Sequence, residues 1–399
     1  MRENWKYSYF SEVYPIVMGK TPARADISLW DKKKETHNLW VSIADISVNE
    51  GKYILDTEEY VSKKAATKMR IVSKGSLLMS FKLTIGKMAF AGDDLFTNEA
   101  IIAIPDNGKY NLRFLYYYLS NYNWSTLTDG AEKVKGKTLN KTSIGKILLP
   151  ILSLSEQERI VALLDDQFAK IDALKATAAS QLQAAKDFFQ AALKEMLTPK
   201  EGWEEKELKD ICTSIKDGDW IERKDQSISG IRLLQTGNIG VGIYKDKSDS
   251  PHYISLDTFN RLHCEEVFEG DILLSRLPEP VGRACLVPKM EGRFITAVDC
   301  SIIKLNTDKI SPEYFIFYTQ TNAYFKNISS LCTGTTRQRI SRKRLEEVTI
   351  SFPSLPEQER IAARLDAISE KVKALQANYD QTITLCNDLK QALLKSIFA

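Results

Sequence analysis

The sequence predicts an α+β protein made of two tandem domains joined by two long antiparallel coiled-coil helices. Two observations carry this prediction. Residues 153–160 (SLSEQERI) return 201 positions later as residues 354–361 (SLPEQERI), with seven of the eight residues identical. Each copy opens a long stretch with apolar residues at coiled-coil spacing. A duplicated unit of about half the chain implies two copies of one domain and a pseudo-two-fold symmetric molecule.

The duplication continues through the globular parts of the chain. Residues 75–80 (GSLLMS) match residues 270–275 (GDILLS), and both read as a turn glycine that leads into a buried strand. Residues 85–87 (IGK) match residues 281–283 (VGR) in the same order. The offset between matching segments stays between 193 and 201 positions, so insertions are small. Each half is therefore expected to be an α+β domain of about 150 residues followed by a helix.

The positions of the repeats set the expected domain boundaries. The predicted segments are a first domain at 1–152, a first spacer helix at 153–198, a second domain at 199–353 and a second spacer helix at 354–399.

The two spacer helices are predicted from their apolar periodicity. The second helix is predicted to carry an apolar a/d seam over five heptads. One row of the seam is formed by positions 361, 368, 375, 382, 389 and 396, and the other by positions 365, 372, 379, 386 and 393. The first helix has a similar seam, made by Val161, Leu164, Phe168, Ile171, Ala178, Leu182, Ala185, Phe189, Ala192 and Met196. Ser155 and Glu158 predict a capping box at its start.

The two helices are expected to pair with each other in an antiparallel manner. An exposed apolar stripe of this length would aggregate, and pairing within one chain costs less entropy than pairing between chains. The alternative, in which the helices dimerise with another copy of the chain, stays open.

Composition excludes several classes of protein. Apolar residues make up 43% of the 399 residues, which is typical of a globular protein. The sequence contains neither a secretory signal nor an apolar run of the ~18 residues that span a membrane. The six cysteines are irregularly spaced and form no CxxC pair, so we expect free thiols and a cytoplasmic location.

Catalytic motifs are absent from the sequence. It contains no phosphate-binding GxxxxGK[ST] loop, no GxGxxG after a strand, and no motif of the kind an adenine methyltransferase uses to hold a flipped base. The three histidines are too scattered for a metal cluster or a catalytic triad. We therefore expect a non-catalytic recognition subunit without a metal or cofactor of its own.

Basic, hydroxyl-rich segments precede both predicted helices. Arginine and glutamine suit bidentate contacts to base edges, while threonine, serine and lysine suit phosphates. Because the basic character recurs at one location in both copies, we interpret these segments as DNA contacts; a solvated basic turn is the alternative. The candidates are Lys133, Lys135, Lys137, Thr138 and Lys141 in the first copy and Thr335, Thr336, Arg337, Gln338, Arg339 and Arg342 in the second, with Lys82, Lys87, Arg276 and Arg283 as further candidates.

These features resemble the specificity subunit of type I restriction-modification systems, often called HsdS. The resemblance rests on residues 355–361 (LPEQERI) at the start of a long helix, on residues 334–338 (GTTRQ), and on two tandem copies that each begin with a tryptophan. The first copy departs from the family pattern, with Ser155 in place of proline and GAEK at residues 130–133 where the family often has Gly-Thr-Thr.

The resemblance implies a job for each part of the chain. Each domain would be a target recognition domain that reads one half of a split, asymmetric DNA site. The helices would act as a spacer and as the docking surface for two methyltransferase subunits, which hold S-adenosylmethionine; restriction subunits that use ATP and Mg²⁺ would join them. The expected partner-binding residues are polar members of the repeated motif, Glu156, Gln157, Arg159, Glu357, Gln358 and Arg360.

Two alternatives of other classes remain open. The chain could be a stand-alone DNA-modifying enzyme, which the missing catalytic motifs oppose. It could also be a coiled-coil adaptor that makes no DNA contact. In that case a filter-binding assay would show no salt-sensitive retention of DNA.

Overall fold

A computed structural model of the chain describes residues 5–127, 139–334 and 338–398. The contacts divide the chain into two compact units. The first unit contains Met1–Thr177 with Gln381–Ala399, and the second contains Ala178–Asp380. Each unit thus holds one globular part and a portion of both long helices. The domain boundaries predicted from the sequence stay a prediction.

The first half of the chain alternates short strands and helices. Its elements are β1 (Lys6–Tyr9), α1 (Phe10–Val13), β2 (Leu39–Val41), α2 (Ile43–Val48), β3 (Tyr53–Ile54), β4 (Glu59–Tyr60), α3 (Lys63–Ala66), β5 (Leu77–Ser80), β6 (Met88–Ala91), β7 (Phe96–Thr97), β8 (Ile101–Ile104), α4 (Leu112–Ser120), α5 (Lys141–Gly145), β9 (Leu148–Ile151) and α6 (Leu154–Leu197).

The second half follows a similar order. Its elements are β10 (Glu204–Glu207), β11 (Cys212–Asp217), β12 (Gln226–Ser227), β13 (Ile231–Leu234), β14 (His252–Ile254), α7 (Leu256–Leu262), β15 (Glu266–Val267), β16 (Ile272–Ser275), β17 (Ala284–Leu286), β18 (Phe294–Thr296), β19 (Cys300–Leu305), α8 (Pro312–Tyr318), α9 (Asn322–Leu331), α10 (Arg342–Glu346), β20 (Thr349–Phe352) and α11 (Leu355–Phe398).

The sheets of the two units repeat one plan. In the first unit the strand orders are β1-β9, β4-β2-β7 and β3-β6-β5-β8; in the second they are β10-β20, β12-β14-β13-β18-β15 and β11-β19-β16-β17. In both units the first strand pairs with the strand just before a long helix. The predicted duplication is therefore confirmed at the level of strand pairing.

The matched glycine-strand segments have the structure that their sequences predict. Gly75 and Gly270 have φ angles of 85° and 84°, which glycine adopts without the steric cost that other residues incur. They lead into β5 and β16, in which every residue is buried. Burial on both faces explains why these strands read as continuous apolar runs.

The two long helices begin one residue after a serine. Ser153 Oγ accepts a hydrogen bond from Glu156 N at 3.3 Å, and Ser153 O accepts one from Gln157 N at 3.0 Å. Ser155 lies inside the first turn, so the predicted capping box at Ser155 and Glu158 is wrong: the chain becomes helical two residues earlier. Pro356 lies in the first turn of α11, where its missing N–H is tolerated.

The long helices run antiparallel within each unit. In the first unit Lys390 Nζ lies 2.6 Å from Asp172 Oδ1, and Lys175 Nζ donates to Asn387 Oδ1 at 2.8 Å. In the second unit Leu193 of α6 shares a buried core with Leu365 of α11. The predicted α+β fold class with two antiparallel long helices is confirmed.

The register of the predicted seam is wrong over part of α11. Leu375 and Leu389 were assigned to the seam, yet their exposed fractions are 36% and 50%. The buried positions instead recur every eleven residues: Ile160, Ile171, Leu182 and Leu193 in α6, and Ile361, Val372, Ile383 and Leu394 in α11, all buried or partly buried. An eleven-residue period matches a straight helix more closely than a heptad does, since a heptad drifts by ~20° per repeat.

In the part of the chain that the structure describes, no helix combines the length and apolar character needed to cross a bilayer.

Candidate nucleic-acid interface

Two loops come together at the same place in both units. In the second unit the turn between β16 and β17, residues 276–283, meets the segment before α10 through a hydrogen bond from Ile340 N to Arg276 O at 3.3 Å. In the first unit Leu139 N donates to Phe81 O at 2.9 Å, which joins the β5–β6 turn to the segment before α5. We call each pair the loop pair of its unit. The structure thus brings together candidate residues that lie far apart in the sequence.

A cluster of arginines and aspartates lies at the loop pair of the second unit. Asp217 Oδ1 is 3.3 Å from Arg276 Nη1, and Asp217 Oδ2 is 3.9 Å from Arg342 Nη1. Arg339 Nη2 is 3.2 Å from Asp299 Oδ1. The side chains of Arg339 and Arg342 are 43% and 49% exposed, so both can reach a ligand on the surface.

Arg276, unlike Arg339 and Arg342, is buried. Its side chain is 5% exposed, and Nη2 donates to Val298 O. Burial lowers the pKa of the Arg276 guanidinium, although the group remains charged at any physiological pH. A DNA contact by Arg276 stays a prediction; in the structure its guanidinium connects the β16–β17 turn to the segments around Asp217 and Val298.

Arg283 occupies a different place from the one expected of a DNA contact. It is 7% exposed, and its guanidinium is turned into the fold. It donates to four backbone carbonyls: Ile239 at 2.7 Å, Thr236 at 2.8 Å, Leu277 at 2.9 Å and Pro280 at 3.0 Å. These bonds tie the β16–β17 turn to the 235–239 turn and hold the loop in shape; a DNA contact by Arg283 stays a prediction.

The lysines of the first unit lie in simpler surroundings. The Lys82 ammonium lies 5.6 Å from the centre of the Phe81 ring. Lys87 forms an ion pair with Glu50, and both side chains are 42% exposed. Lys141 is an exposed residue that opens α5, directly after the cap residue Asn140, whose Oδ1 accepts from Ser143 N at 2.8 Å.

Several predicted DNA contacts fall outside the described residues. These are Lys133, Lys135, Lys137, Thr138, Thr335, Thr336 and Arg337. Gln338, the first described residue after the second of these gaps, is exposed.

The glutamine of each repeated motif is buried. Gln157 and Gln358 have no exposed surface. Gln157 Oε1 accepts from Asn111 N at 2.8 Å, and its Nε2 donates to Lys109 O at 3.1 Å and to Leu152 O at 3.0 Å.

The second glutamine makes the same three bonds. Gln358 Oε1 accepts from Ser311 N at 2.8 Å, and its Nε2 donates to Lys309 O at 3.0 Å and to Pro353 O at 2.8 Å. Each glutamine therefore fastens the loop before α4 or α8 to the start of a long helix. Their polar groups are used within the fold, and a partner contact by either glutamine stays a prediction.

The charged residues of the motif do lie on the surface. Glu156 and Arg159 form an exposed ion pair one turn apart, as do Glu357 and Arg360. The hydrogen bond from Arg360 holds the pKa of Glu357 below its usual value.

The sequence patterns missed a set of exposed apolar residues on the long helices. They are 45% to 62% exposed and comprise Leu163, Leu174 and Phe188 on α6 and Leu385 and Leu389 on α11. Leu389 was assigned to the predicted seam, whereas the other four lie outside both predicted seams and were given no role. Large exposed apolar side chains on a regular helix are typical of protein interfaces.

Within residues 5–127, 139–334 and 338–398, no group of three or more metal-ligating side chains is present.

Comparison with known proteins identifies the family of the chain and solved structures that share its fold. The family model "Type I restriction modification DNA specificity domain" matches residues 2–184 and 200–385. The chain is 21% identical to the type I restriction enzyme MjaVIII specificity subunit of Methanocaldococcus jannaschii, covering 95% of this chain and 89% of that protein.

Two solved structures share the fold. One is the HsdS subunit from Thermoanaerobacter tengcongensis, with a TM-score of 0.55 at 19% identity and coverage of 100% of this chain and 97% of that one. The other belongs to a study of complex assembly and conformational transition in a type I R-M system, with a TM-score of 0.73 at 18% identity and coverage of 100% and 98%.

Proposed function

The chain belongs to the family of type I restriction modification DNA specificity domains, and from this premise we propose that it is the sequence-specificity subunit of a type I restriction-modification complex. Each unit reads one half of a bipartite, asymmetric DNA site. The chain directs methyltransferase and restriction subunits to that site and carries no active site of its own. S-adenosylmethionine, ATP and Mg²⁺ bind to those partner subunits.

The observation that carries the proposal is the loop pair, which occurs in both units with different side chains. The turn in the first unit reads FKLTI at residues 81–85, and the turn in the second reads RLPEPV at residues 276–281. One architecture with two sets of side chains supports two half-sites of different sequence, because base edges are read by side-chain identity.

The charges of the second loop pair support contact with DNA. Arg339 and Arg342 are half-exposed; Arg339 is paired with Asp299, and Arg342 lies near both Asp217 and Glu346, all of them partly exposed. Ion pairs of this kind contribute little free energy, so a phosphate replaces the carboxylate at small cost. Release of counterions from DNA then favours binding, and affinity falls steeply with salt.

The long helices are the surface we assign to the methyltransferase subunits. The exposed apolar residues of α6 and α11 supply apolar surface that becomes buried on binding. Each unit also carries one exposed ion pair in the first turn of a long helix, Glu156–Arg159 in the first unit and Glu357–Arg360 in the second. Exposed charges of this kind help to fix the orientation of a partner.

The DNA part of the proposal is tested by methylome sequencing of a host that carries this chain and its methyltransferase. We expect methylated adenines at a two-part motif with different halves separated by a fixed number of unread base pairs. Filter binding of the purified complex at two salt concentrations is the companion measurement. Retention that does not change with salt, or a methylome without a split motif, would contradict the proposal.

The partner surface is tested with Leu389→Asp, since Leu389 is 50% exposed on α11. Burying a carboxylate in an apolar interface is costly, so the variant should lose co-purification with the methyltransferase. Gln391→Asp, exposed on the same helix, is the matched control and should retain it. Equal retention of the methyltransferase by both variants would show that Leu389 lies outside the interface.

A further inference from the structure

One exposed aromatic residue stands apart from the loop pair and from every predicted contact. Of the six tryptophans, Trp220 alone is exposed, at 67%; the other five are partly or fully buried. An indole on the surface keeps a large apolar area in water, and tryptophan is the residue that most often dominates binding interfaces. Its place in the fold therefore bears on what it binds.

The backbone that leads into Trp220 is held rigidly. Gly218 N donates to Cys300 O at 2.9 Å, Asp219 N donates to Thr296 O at 2.8 Å, and Val298 N donates to Asp219 O at 2.9 Å. A Cβ at Gly218 would lie 2.3 Å from Ala297 O, so only glycine allows this close approach. Trp220 is thus presented from a fixed platform.

That platform is continuous with the arginine cluster. Asp217, three residues before Trp220, lies 3.3 Å from Arg276 and 3.9 Å from Arg342. Val298, which is bonded to Asp219, also accepts a hydrogen bond from Arg276. The backbone that carries Trp220 is therefore joined directly to the segments that hold Arg276 and Arg342.

The first unit has the same platform without the aromatic residue. Lys20 N donates to Thr97 O at 2.8 Å, as Asp219 N does to Thr296 O, and a Cβ at Gly19 would meet Thr97 O at 2.0 Å. The position equivalent to Trp220 is Thr21, whose hydroxyl donates to Glu99. The aromatic group is therefore a property of the second unit alone.

We propose that Trp220 is a DNA contact of the second half-site, packing its indole against a deoxyribose and base edge beside the phosphates held by Arg339 and Arg342. This inference rests on the proposed function. The arginines beside it supply the positive charge that selects a nucleic acid over an apolar protein surface. Trp220 contributes an apolar contact that is independent of charge, as aromatic platforms do in other nucleic-acid binders.

The carboxylate of Glu222 lies beside the Trp220 indole. Its hydrogen bond with Lys224 lowers the pKa of Glu222 most, and its hydrogen bond with Trp220 lowers it further. The nearby carboxylate is thus already matched by a lysine, with a Lys224 Nζ to Glu222 Oε2 distance of 2.7 Å. Its repulsion of a phosphate is reduced accordingly.

The test compares Trp220→Ala and Trp220→Phe with Ile228→Ala in the complex with the methyltransferase. Ile228 is 99% exposed in the same unit, so it controls for loss of a surface apolar group. Binding to the duplex defined by the methylome is followed by fluorescence anisotropy over a range of salt concentrations. Trp220→Ala should weaken binding roughly tenfold, with Trp220→Phe retaining most of the affinity.

The salt dependence separates this contact from the ionic ones. Trp220→Ala should leave the slope of log affinity against log salt unchanged, whereas Arg342→Ala should reduce it by about 0.9, the value of one phosphate contact. If Trp220→Ala binds as Ile228→Ala does while the wild-type complex shows salt-dependent binding, the inference fails and the proposed function stands. Loss of the methyltransferase from the Trp220→Ala complex would assign the indole to a protein partner and overturn the inference. If DNA binding by the wild-type complex did not depend on salt, that result would contradict the proposed function itself.

Discussion

Replacement of Arg283 by methionine should loosen the turn that we place against DNA. The guanidinium is 7% exposed and is the donor to four carbonyls of two different turns. Methionine fills a similar volume but donates nothing, so the carbonyls of Thr236, Ile239, Leu277 and Pro280 lose this partner. The perturbation therefore removes hydrogen bonds while largely preserving apolar packing.

The magnitude follows from the number of bonds. Thr236 O still accepts from Ile239 N at 3.2 Å and Leu277 O still accepts from Ser275 Oγ at 3.0 Å, so the loss falls mainly on Ile239 O and Pro280 O. A buried carbonyl left without a donor costs about 1–3 kcal/mol, and water can reach part of a surface turn, so we take about 1 kcal/mol for each of these two. The free energy of unfolding of the second unit should fall by about 2 kcal/mol. Arg283→Lys should lose about half of this, because an ammonium retains three donors on a flexible stem.

Native-state hydrogen exchange of the full chain measures this effect locally. Peptides covering β16 and β17 should exchange faster in Arg283→Met. The matched control is Lys87→Met at the equivalent position of the first unit, where the ammonium pairs with Glu50 at the surface. That control should change the stability of β5 and β6 by less than about 1 kcal/mol. If Arg283→Met and Lys87→Met accelerate hydrogen exchange equally in their respective strands, Arg283 does not hold the turn and the reasoning is refuted.

Three further predictions concern the fold and its pH dependence. Gln358→Ala and Gln157→Ala should each lower the free energy of unfolding by about 3 kcal/mol, since each removes three buried hydrogen bonds; thermal unfolding in which one variant is as stable as wild type would contradict the shared role. Burial raises the pKa of Asp219 to about 6, above its ordinary 3.8, so the folded state binds a proton between about pH 4 and 6 that the unfolded state does not. Stability should therefore rise as the pH falls from 7.5 to 5.5. Asp219→Asn should remove this rise and add about 1 kcal/mol at pH 7.5, a figure reduced because the residue is partly exposed; a melting temperature with the same pH dependence in both proteins would refute the assignment.

The repeat and the helix pairing could be predicted because both leave periodic traces in the sequence. Residues 75–80 and 270–275 each carry a turn glycine followed by an apolar run, and both became central buried strands. The seam of α6 was also predicted correctly, since all its assigned residues are buried or partly buried. Patterns of this kind depend only on neighbours a few residues away.

The burial of the polar residues could not be predicted from the sequence. Arginine and glutamine usually lie on the surface, so Arg283, Gln157 and Gln358 read as contact residues. Their partners are backbone carbonyls and N–H groups as far as 49 residues away, which no local pattern reveals. The exposed positions of α11 were missed for another reason: a small drift per heptad accumulates, and only the paired structure shows on which face Leu375 and Leu389 emerge.

The central claim is that each unit reads its own half of the DNA site. Methylome sequencing with Gln338→Ala in the second unit and, separately, Lys82→Ala in the first tests this most directly. The account predicts that each variant relaxes or abolishes recognition in one half of the motif, and that the two variants affect opposite halves. Variants that alter both halves together, or the same half, would contradict it.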